Sequence, residues 1–242
     1  MSGRKDSTNS VDRAPVVAID GPSGSGKGTI GELLAGRLGW NYLDSGALYR
    51  AVGVAARRAG VSLADGAALA QLAGSVDIRF VPKPNSTATV QLDGAEIGDE
   101  LRTETAGESA SRVAAVPAVR LALLQKQHEL RRPPGLVADG RDMGTTVFPD
   151  ALLKVFLTAT PEVRAERRYK QLKQKGSDVN LPRLLQDIRE RDARDAARAV
   201  SPLQPAADAH LLDTSDLRIS EVVDRIESLL RQRGVAGVCA GI

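Results

Sequence analysis

The chain has 242 residues, and its 33 Lys and Arg against 30 Asp and Glu give a formal net charge of +3. This small excess does not suit a nucleic-acid-coating surface, and an aromatic content of 3% offers few platforms for stacking bases. No apolar run has the length of a membrane span, the N-terminus has no signal-peptide pattern, and the single cysteine, Cys239, excludes an internal disulfide. We therefore expect a cytoplasmic globular protein without nucleic-acid or membrane partners.

Strand-like apolar runs alternate with helical patterns along the chain. Strands are predicted at 16–19, 40–43, 136–138, 152–157 and 210–212, and helices at 29–38, 47–59, 119–130, 161–175, 184–199 and 219–233. This alternation favours an α/β fold in which helices flank a parallel sheet. Ligands of such sheets bind beyond the carboxyl ends of the strands, where Gly21, Asp44, Asp139 and Asp213 are expected to lie.

A glycine-rich segment separates the first predicted strand from the first predicted helix. Such a turn cradles phosphates, because its backbone N–H groups and the helix N-terminus face an anion while a lysine reaches along the triphosphate. The sequence therefore predicts a nucleoside triphosphate site. The residues expected to bind ATP are Gly21, Pro22, Ser23, Gly24, Ser25, Gly26, Lys27, Gly28 and Thr29.

The position after the lysine departs from the general phosphate-loop pattern. That pattern has a Ser or Thr hydroxyl there to hold Mg²⁺, whereas this chain has Gly28 and places its hydroxyl one residue later, at Thr29. A glycine at this position resembles the phosphate loop of nucleoside monophosphate kinases. Thr29, or water and substrate oxygens, would then take the Mg²⁺ role, and no protein metal site is predicted.

Two stretches interrupt the alternation of strands and helices. Residues 75–101 show alternating strands separated by turns, which predicts a small antiparallel sheet inserted into the α/β core. Residues 173–181 form a polar break between two Arg-rich helices, which we interpret as a mobile flap over the phosphate site.

Three polar segments carry further candidate site residues. Ser45, Tyr49 and Arg50 follow the second predicted strand, although Ser45 could equally cap a helix. Arg141 and Asp142 follow the strand at 136–138, with an ion pair that staples a turn as the alternative. In the third segment, spacings of three and four residues place the following on one helical face: Arg191, Arg194, Asp195 and Arg198. Such a face is either solvated or a set of cations for phosphoryl transfer, and we favour the latter.

Together these motifs resemble the bacterial cytidylate kinases over residues 15–233. The resemblance rests on Ile-Asp-Gly-Pro-Ser-Gly-Ser-Gly-Lys-Gly-Thr, Leu-Asp-Ser-Gly-Ala-Leu-Tyr-Arg, Ala-Asp-Gly-Arg-Asp-Met-Gly-Thr and Arg-Ala-Val-Ser-Pro-Leu, in that order. It implies a phosphate-loop NTPase-type sheet with an inserted antiparallel-sheet domain that binds the monophosphate, and a short lid. The expected division is core 15–70, insert 71–113, core 114–165, lid 166–185 and core 186–233, between disordered tails 1–14 and 234–242.

The resemblance also implies a role for each site residue. The catalytic residues would be Lys27, Arg194 and Arg198. The monophosphate and sugar would be held by Ser45, Arg50 and Arg141, next to Tyr49. The cytosine edge would be read by Ser111, Arg120 and Asp142. The ribose hydroxyls would be bound by Asp195 and Arg191, with Arg198 completing the CMP site.

The implied reaction moves the γ-phosphoryl group of ATP to CMP or dCMP, with Mg²⁺ held mainly through ATP oxygens and water. We expect a monomer that acts in pyrimidine nucleotide metabolism. One alternative is another phosphate-loop kinase of the uridylate or shikimate type, against which the inserted sheet and Asp142 speak. The other is a nucleotide-dependent binding module, but the sequence has no Asn-Lys-x-Asp guanine reader.

Overall fold

The computed structural model describes residues 13–83, 86–174 and 176–235. Most of the two tails expected to be disordered lies outside these ranges, as do Cys239, Lys175 in the expected lid, and Pro84 and Asn85 in the predicted turn. Where the chain is described, Ala14 is buried and Val235 packs against the core.

The elements follow one another as the alternation predicts, with additional helices around the insert. In chain order they are β1 (Val16–Asp20), α1 (Lys27–Leu38), β2 (Asn41–Asp44), α2 (Ser45–Ala59), α3 (Gly66–Ser75), β3 (Ile78–Lys83), β4 (Ser86–Leu92), β5 (Ala95–Glu96), α4 (Gly98–Leu101), α5 (Glu104–Val113), α6 (Pro117–His128), β6 (Leu136–Gly140), a π-helical turn (Met143–Val147), β7 (Leu153–Thr158), α7 (Pro161–Gln174), α8 (Leu181–Ala196), β8 (His210–Asp213) and α9 (Ile219–Gln232).

The central sheet is parallel throughout, with the strand order β2-β6-β1-β7-β8, which confirms the predicted α/β class. Alternate side chains of β1 point to opposite faces, so that Val16 and Ala18 pack toward α2, α3 and α6 while Val17 and Ile19 pack toward α1 and α9. The register places Asp44 opposite Asp139 on the neighbouring strand. Acidic residues from separate parts of the chain thus meet at the carboxyl edge of the sheet.

The predicted antiparallel insert is confirmed as a sheet of β3, β4 and β5. Val90, Leu92 and Ile97 are buried against Ala51 and Val54 of α2. Because α2 also begins at the carboxyl end of β2, the same helix supports the insert and faces the ligand edge of the main sheet. None of the helices in the described ranges combines the length and apolarity that a bilayer crossing requires.

The boundaries of α8 correct the prediction of a helix at 184–199. The helix begins at Leu181, where the Asn180 side chain accepts a hydrogen bond from the Arg183 amide at 3.0 Å, and it ends at Ala196. Arg198 is therefore not on the helical face proposed for it. The chain reverses instead, as Ser201 takes a positive φ of 51°.

Candidate active site

The glycine loop adopts a backbone that requires its glycines. Gly21 has φ of 147°, and a Cβ atom on it would lie 2.1 Å from the carbonyl oxygen of Leu157, so the loop passes directly over β7. Gly26 has φ of 95° and forms the N-cap of α1, which begins at Lys27, two residues before the predicted start. The loop and the first turn of α1 thus surround the space where phosphate groups would bind.

Lys27 is buried at the base of this loop. Its Nζ donates a hydrogen bond to the carbonyl oxygen of Pro22 at 2.8 Å and lies 4.0 Å from Oδ1 of Asp139. Burial and the nearby Arg141 guanidinium lower the pKa of Lys27 to about 7, against the opposing attraction of Asp139 and Asp20. Burial thus disfavours the charged form of Lys27, and an anion bound beside it would stabilise that form.

Two buried carboxylates act on the charge of Lys27. Asp20 accepts hydrogen bonds from the amides of Met143 and Gly144, each at 2.8 Å, and burial raises its pKa to about 7. Burial also raises the pKa of Asp139, to about 6, although Lys27 opposes this shift. Sequence reasoning singled out Asp139 but did not consider Asp20, whose only signal was its place as the last residue before the glycine loop.

The oxygen donors suited to Mg²⁺ lie beside the loop. They are the Asp139 carboxylate and the hydroxyl of Thr29, on the exposed side of α1. In the described ranges no group of three or more His, Cys, Asp or Glu could hold a metal ion by itself. A metal here would depend on phosphate oxygens from the nucleotide, and the residues present fit that arrangement.

Asp195 is the centre of the polar network on the opposite side of the cavity. It accepts hydrogen bonds from Ser111 Oγ at 2.8 Å and Arg141 Nε at 3.1 Å, and it forms an ion pair with Arg198. Burial alone would raise the pKa of Asp195, but the guanidinium groups of Arg141, Arg198 and Arg191 hold it below its ordinary value. Ser111, which the resemblance groups with Arg120 and Asp142, thus also contacts Asp195.

A second buried ion pair joins Arg120 on α6 to Asp142 after β6. The Arg120 guanidinium also donates to the carbonyl oxygen of Ala114 at 3.3 Å and lies 5.5 Å from the centre of the Tyr49 ring. Burial raises the pKa of Tyr49 to about 12. The pair is 8% and 2% exposed on its two residues, so it presents a fixed donor and acceptor set rather than a mobile one.

Several arginine nitrogens in the site are buried and find no hydrogen-bond partner among the described residues. They are Arg50 Nε, Arg191 Nε, Arg194 Nη1 and Arg198 Nε. Arg50 does pair with Asp44, and Arg191 Nη1 donates to Ser23 Oγ at 3.3 Å. Burial and neighbouring arginines lower the pKa of Arg191 to about 10. Unused buried N–H groups are costly, and their accumulation here marks a binding site for anionic oxygens.

Arg164 is a structural component of the site that sequence reasoning missed. It is 2% exposed, and it donates hydrogen bonds to the carbonyl oxygens of Ser23 at 3.0 Å and Ala159 at 2.9 Å. It also pairs with Asp192, whose Oδ1 lies 3.0 Å from Nη1, so that it ties the glycine loop to α8. The sequence signal for Arg164 was its position in the first turn of α7. That helix follows β7, which pairs with β1, the strand that leads into the glycine loop.

All these groups open onto one cavity of about 2090 Å³. Every candidate site residue except Gly21 and Pro22 lines it, so the structure brings together positions from 23 to 198. The cavity exceeds the ~300–1,000 Å³ of a typical small-ligand site. Two ligands therefore fit side by side, one at the glycine loop and one at the arginine network.

Comparison with known proteins agrees with this geometry. A family model described as cytidylate kinase matches residues 17–232. The cytidylate kinase of Stutzerimonas stutzeri (strain A1501) is 57% identical over 224 residues, which cover 92% of this chain and 98% of that protein. The cytidylate kinase of Methylococcus capsulatus (strain ATCC 33009 / NCIMB 11132 / Bath) is 59% identical over 212 residues, covering 88% and 95% respectively. The chain belongs to the cytidylate kinase family.

Proposed function

We propose that the protein transfers the γ-phosphoryl group of ATP to CMP or dCMP, giving ADP and CDP or dCDP. The observation that carries the proposal is the single cavity shared by a phosphate-binding loop and a separate arginine network. A shared cavity brings the donor phosphate and the acceptor phosphate into contact, which is what direct phosphoryl transfer requires.

The donor side is the loop at 21–29. Backbone N–H groups and Lys27 would bind the phosphates of ATP, and Thr29 and Asp139 supply the oxygens available to Mg²⁺. When bound, Mg²⁺ neutralises charge on the transferring phosphates. Lys27 is held by Pro22 and faces Asp139, so its amino group is already in position before the nucleotide arrives.

The acceptor side is the network around Asp142 and Asp195. Asp142 can accept a hydrogen bond from the amino group of cytosine, and Arg120 can donate to its acceptor atoms. Uracil would put a carbonyl oxygen against the Asp142 carboxylate, and such a buried mismatch discriminates strongly. Asp195 with Arg191 would bind the ribose hydroxyls, while Ser45, Arg50 and Arg141 hold the monophosphate.

The chemical step needs no general base from the protein. The attacking oxygen of CMP is already anionic, so the protein's task is to align the two phosphates, offset their charge and exclude water. Arg194 and Arg198 would provide cations at the transferring group, and their unpartnered buried nitrogens support this role. We propose that 166–185 acts as the lid that closes over the site and 71–113 as the monophosphate-binding insert.

Three further properties stay predictions: a cytoplasmic location, a monomeric state and a role in pyrimidine nucleotide metabolism. Size-exclusion chromatography with light scattering measures the oligomeric state directly. The two alternative functions, a uridylate or shikimate-type kinase and a nucleotide-dependent binding module, are not favoured, since the relatives with high identity are cytidylate kinases.

An acceptor panel tests the function. ADP release is measured with ATP and CMP, dCMP, UMP, AMP or shikimate, and we expect turnover with CMP and dCMP well above that with the other acceptors. Lys27→Ala should lower kcat by orders of magnitude while circular dichroism shows an intact fold. A preferred acceptor other than a cytidine monophosphate would refute the specificity, and near-normal turnover of Lys27→Ala would refute the role of the loop.

A further inference from the structure

The surface of α1 beside the glycine loop has a groove that is filled by a tyrosine from β2. Gly28 and Gly31 are three residues apart and therefore lie on the same face of the helix. A Cβ atom on Gly31 would lie 2.8 Å from Cε2 of Tyr42, and one on Gly28 would lie 3.8 Å from the Tyr42 hydroxyl oxygen. Tyr42 thus lies against α1 because Gly31 lacks a side chain, and its hydroxyl lies beside Gly28.

The Tyr42 hydroxyl ends beside the carboxylate of Asp139. Its oxygen is 3.3 Å from Asp139 Oδ2 and 3.5 Å from the carbonyl oxygen of Gly28. The charged carboxylate is the stronger acceptor, so the hydroxyl donates to Asp139. The other carboxylate oxygen, Oδ1, faces Lys27 Nζ at 4.0 Å. Tyr42 therefore contacts the outer oxygen of Asp139 and leaves Oδ1 directed toward Lys27.

A side chain on residue 28 would reach the same space beside Asp139 that the Tyr42 hydroxyl occupies. A Cβ atom on Gly28 would lie 3.6 Å from Asp139 Oδ2, so a serine or threonine hydroxyl there would extend into the neighbourhood of Tyr42 and Asp139. The general phosphate-loop pattern has that hydroxyl, and this chain does not. In this protein a phenol from β2 enters the space that the helix leaves open.

We propose that Tyr42 is a positioning residue for phosphoryl transfer, whose hydroxyl takes the place of the missing hydroxyl after Lys27 and holds Asp139 toward Lys27 and the metal-bound triphosphate. The inference rests on the proposed function, because it assigns Asp139 to the ATP side of that reaction. Burial and the charge of Asp139 raise the pKa of Tyr42 above its ordinary value, so the hydroxyl keeps the proton that it donates.

The test compares Tyr42→Phe with the double variant Tyr42→Phe/Gly28→Ser, using calorimetric binding of ATP with Mg²⁺ and of ATP with EDTA. Loss of a hydrogen bond that orients a metal ligand typically costs ~10–100-fold in metal affinity or activity. We expect Tyr42→Phe to bind MgATP about 10-fold more weakly than the wild type and metal-free ATP equally well. The serine at position 28 should restore most of the loss, since Gly28 is helical and has no positive φ.

Ser62→Ala is the control, because it removes an exposed hydroxyl that, among the described residues, accepts a hydrogen bond only from the Ala64 amide, outside the cavity, and it should change neither affinity. Equal weakening of ATP with and without Mg²⁺ in Tyr42→Phe would indicate only a packing role and overturn the proposal. Unchanged MgATP affinity, or a double variant that recovers nothing, would overturn it as well. Calorimetry with ATP needs no acceptor, so these results stand apart from whether CMP is the substrate.

Discussion

Replacing Lys27 with Met should make the nucleotide-free protein more stable while abolishing its activity. The side chain is 5% exposed, and its pKa is about 7 against an ordinary 10.5. A shift of this size corresponds to a cost of about 5 kcal/mol for keeping Lys27 charged in the folded protein. Met has a similar length and carries no charge, so it removes this cost. It also loses the hydrogen bond to Pro22, which offsets about 1 kcal/mol of the gain.

The stability gained by Lys27→Met should depend on pH within a defined pH range. Between about 7 and 10.5 the unfolded chain binds the Lys27 proton and the folded protein does not, so wild-type stability rises with pH through this range. Lys27→Met lacks this titrating group, so its stability does not change with pH in this way. Its unfolding free energy should therefore exceed that of the wild type by about 4 kcal/mol at pH ~6.5 and by about 2 kcal/mol at pH ~8. The difference should disappear as the pH approaches the pKa of lysine in the unfolded chain.

Urea unfolding of both proteins at several pH values measures this difference, with ADP release measured in parallel. Tyr169→Phe serves as a control, since it changes a half-buried side chain outside the charge cluster. A Lys27→Met protein that is less stable than the wild type would refute the reasoning. A stability difference that does not change with pH would refute it too, because the gain would then not come from a buried charge.

The remaining predictions concern recognition, loop geometry and protonation. Asp142→Asn leaves the buried Arg120 without its counter-charge, so it should cost about 3 kcal/mol of unfolding free energy and raise KM for CMP more than for ATP; unchanged steady-state kinetics would contradict this. Arg164→Lys cannot reproduce the paired contact with Asp192, so it should raise KM for ATP while KM for CMP stays near wild type. ATP binding at pH ~8 should take up a proton as the phosphates raise the pKa of Lys27, which calorimetry in buffers of different ionisation enthalpy measures, and Lys27→Met should reduce the uptake.

The central sheet could be predicted because its strands are buried on both faces. Val16–Asp20 and Leu136–Gly140 form short continuous apolar runs, and each ends in glycine or acidic residues that occupy the ligand edge. The glycine loop was predictable for a different reason: its glycines are needed for the conformation of the backbone, not for packing. Gly21 and Gly26 have positive φ values of 147° and 95°, which favour glycine, and this requirement needs no knowledge of a contact from elsewhere in the chain.

The positions of the helices around the insert could not be predicted from the sequence. Helix α5 buries Ala106, Ala110 and Val113 at helical spacing, but its buried face consists mostly of small side chains that indicate no particular partner. Its position depends on close packing against α2: a Cβ atom on Gly53 would lie 2.9 Å from the Cβ of Ser109. Small residues allow this approach, but the sequence does not state which two segments approach each other. Ser111, on the same helix, gains its contact with Asp195 through that packing.

The ion pairs of the site could not be predicted because each residue has several possible partners. Spacing placed Arg198 and Asp195 on one helical face, yet the helix ends at Ala196 and Arg198 reaches Asp195 from just beyond the helix end. Asp195 is shared by Ser111, Arg141 and Arg198, while arginine nitrogens close to it have no partner. Because the cations outnumber the carboxylate oxygens available to them, the network is incomplete without an anion. A bound monophosphate would satisfy the unused N–H groups, and Asp195 could then exchange an arginine for a sugar hydroxyl without becoming an unpaired buried charge.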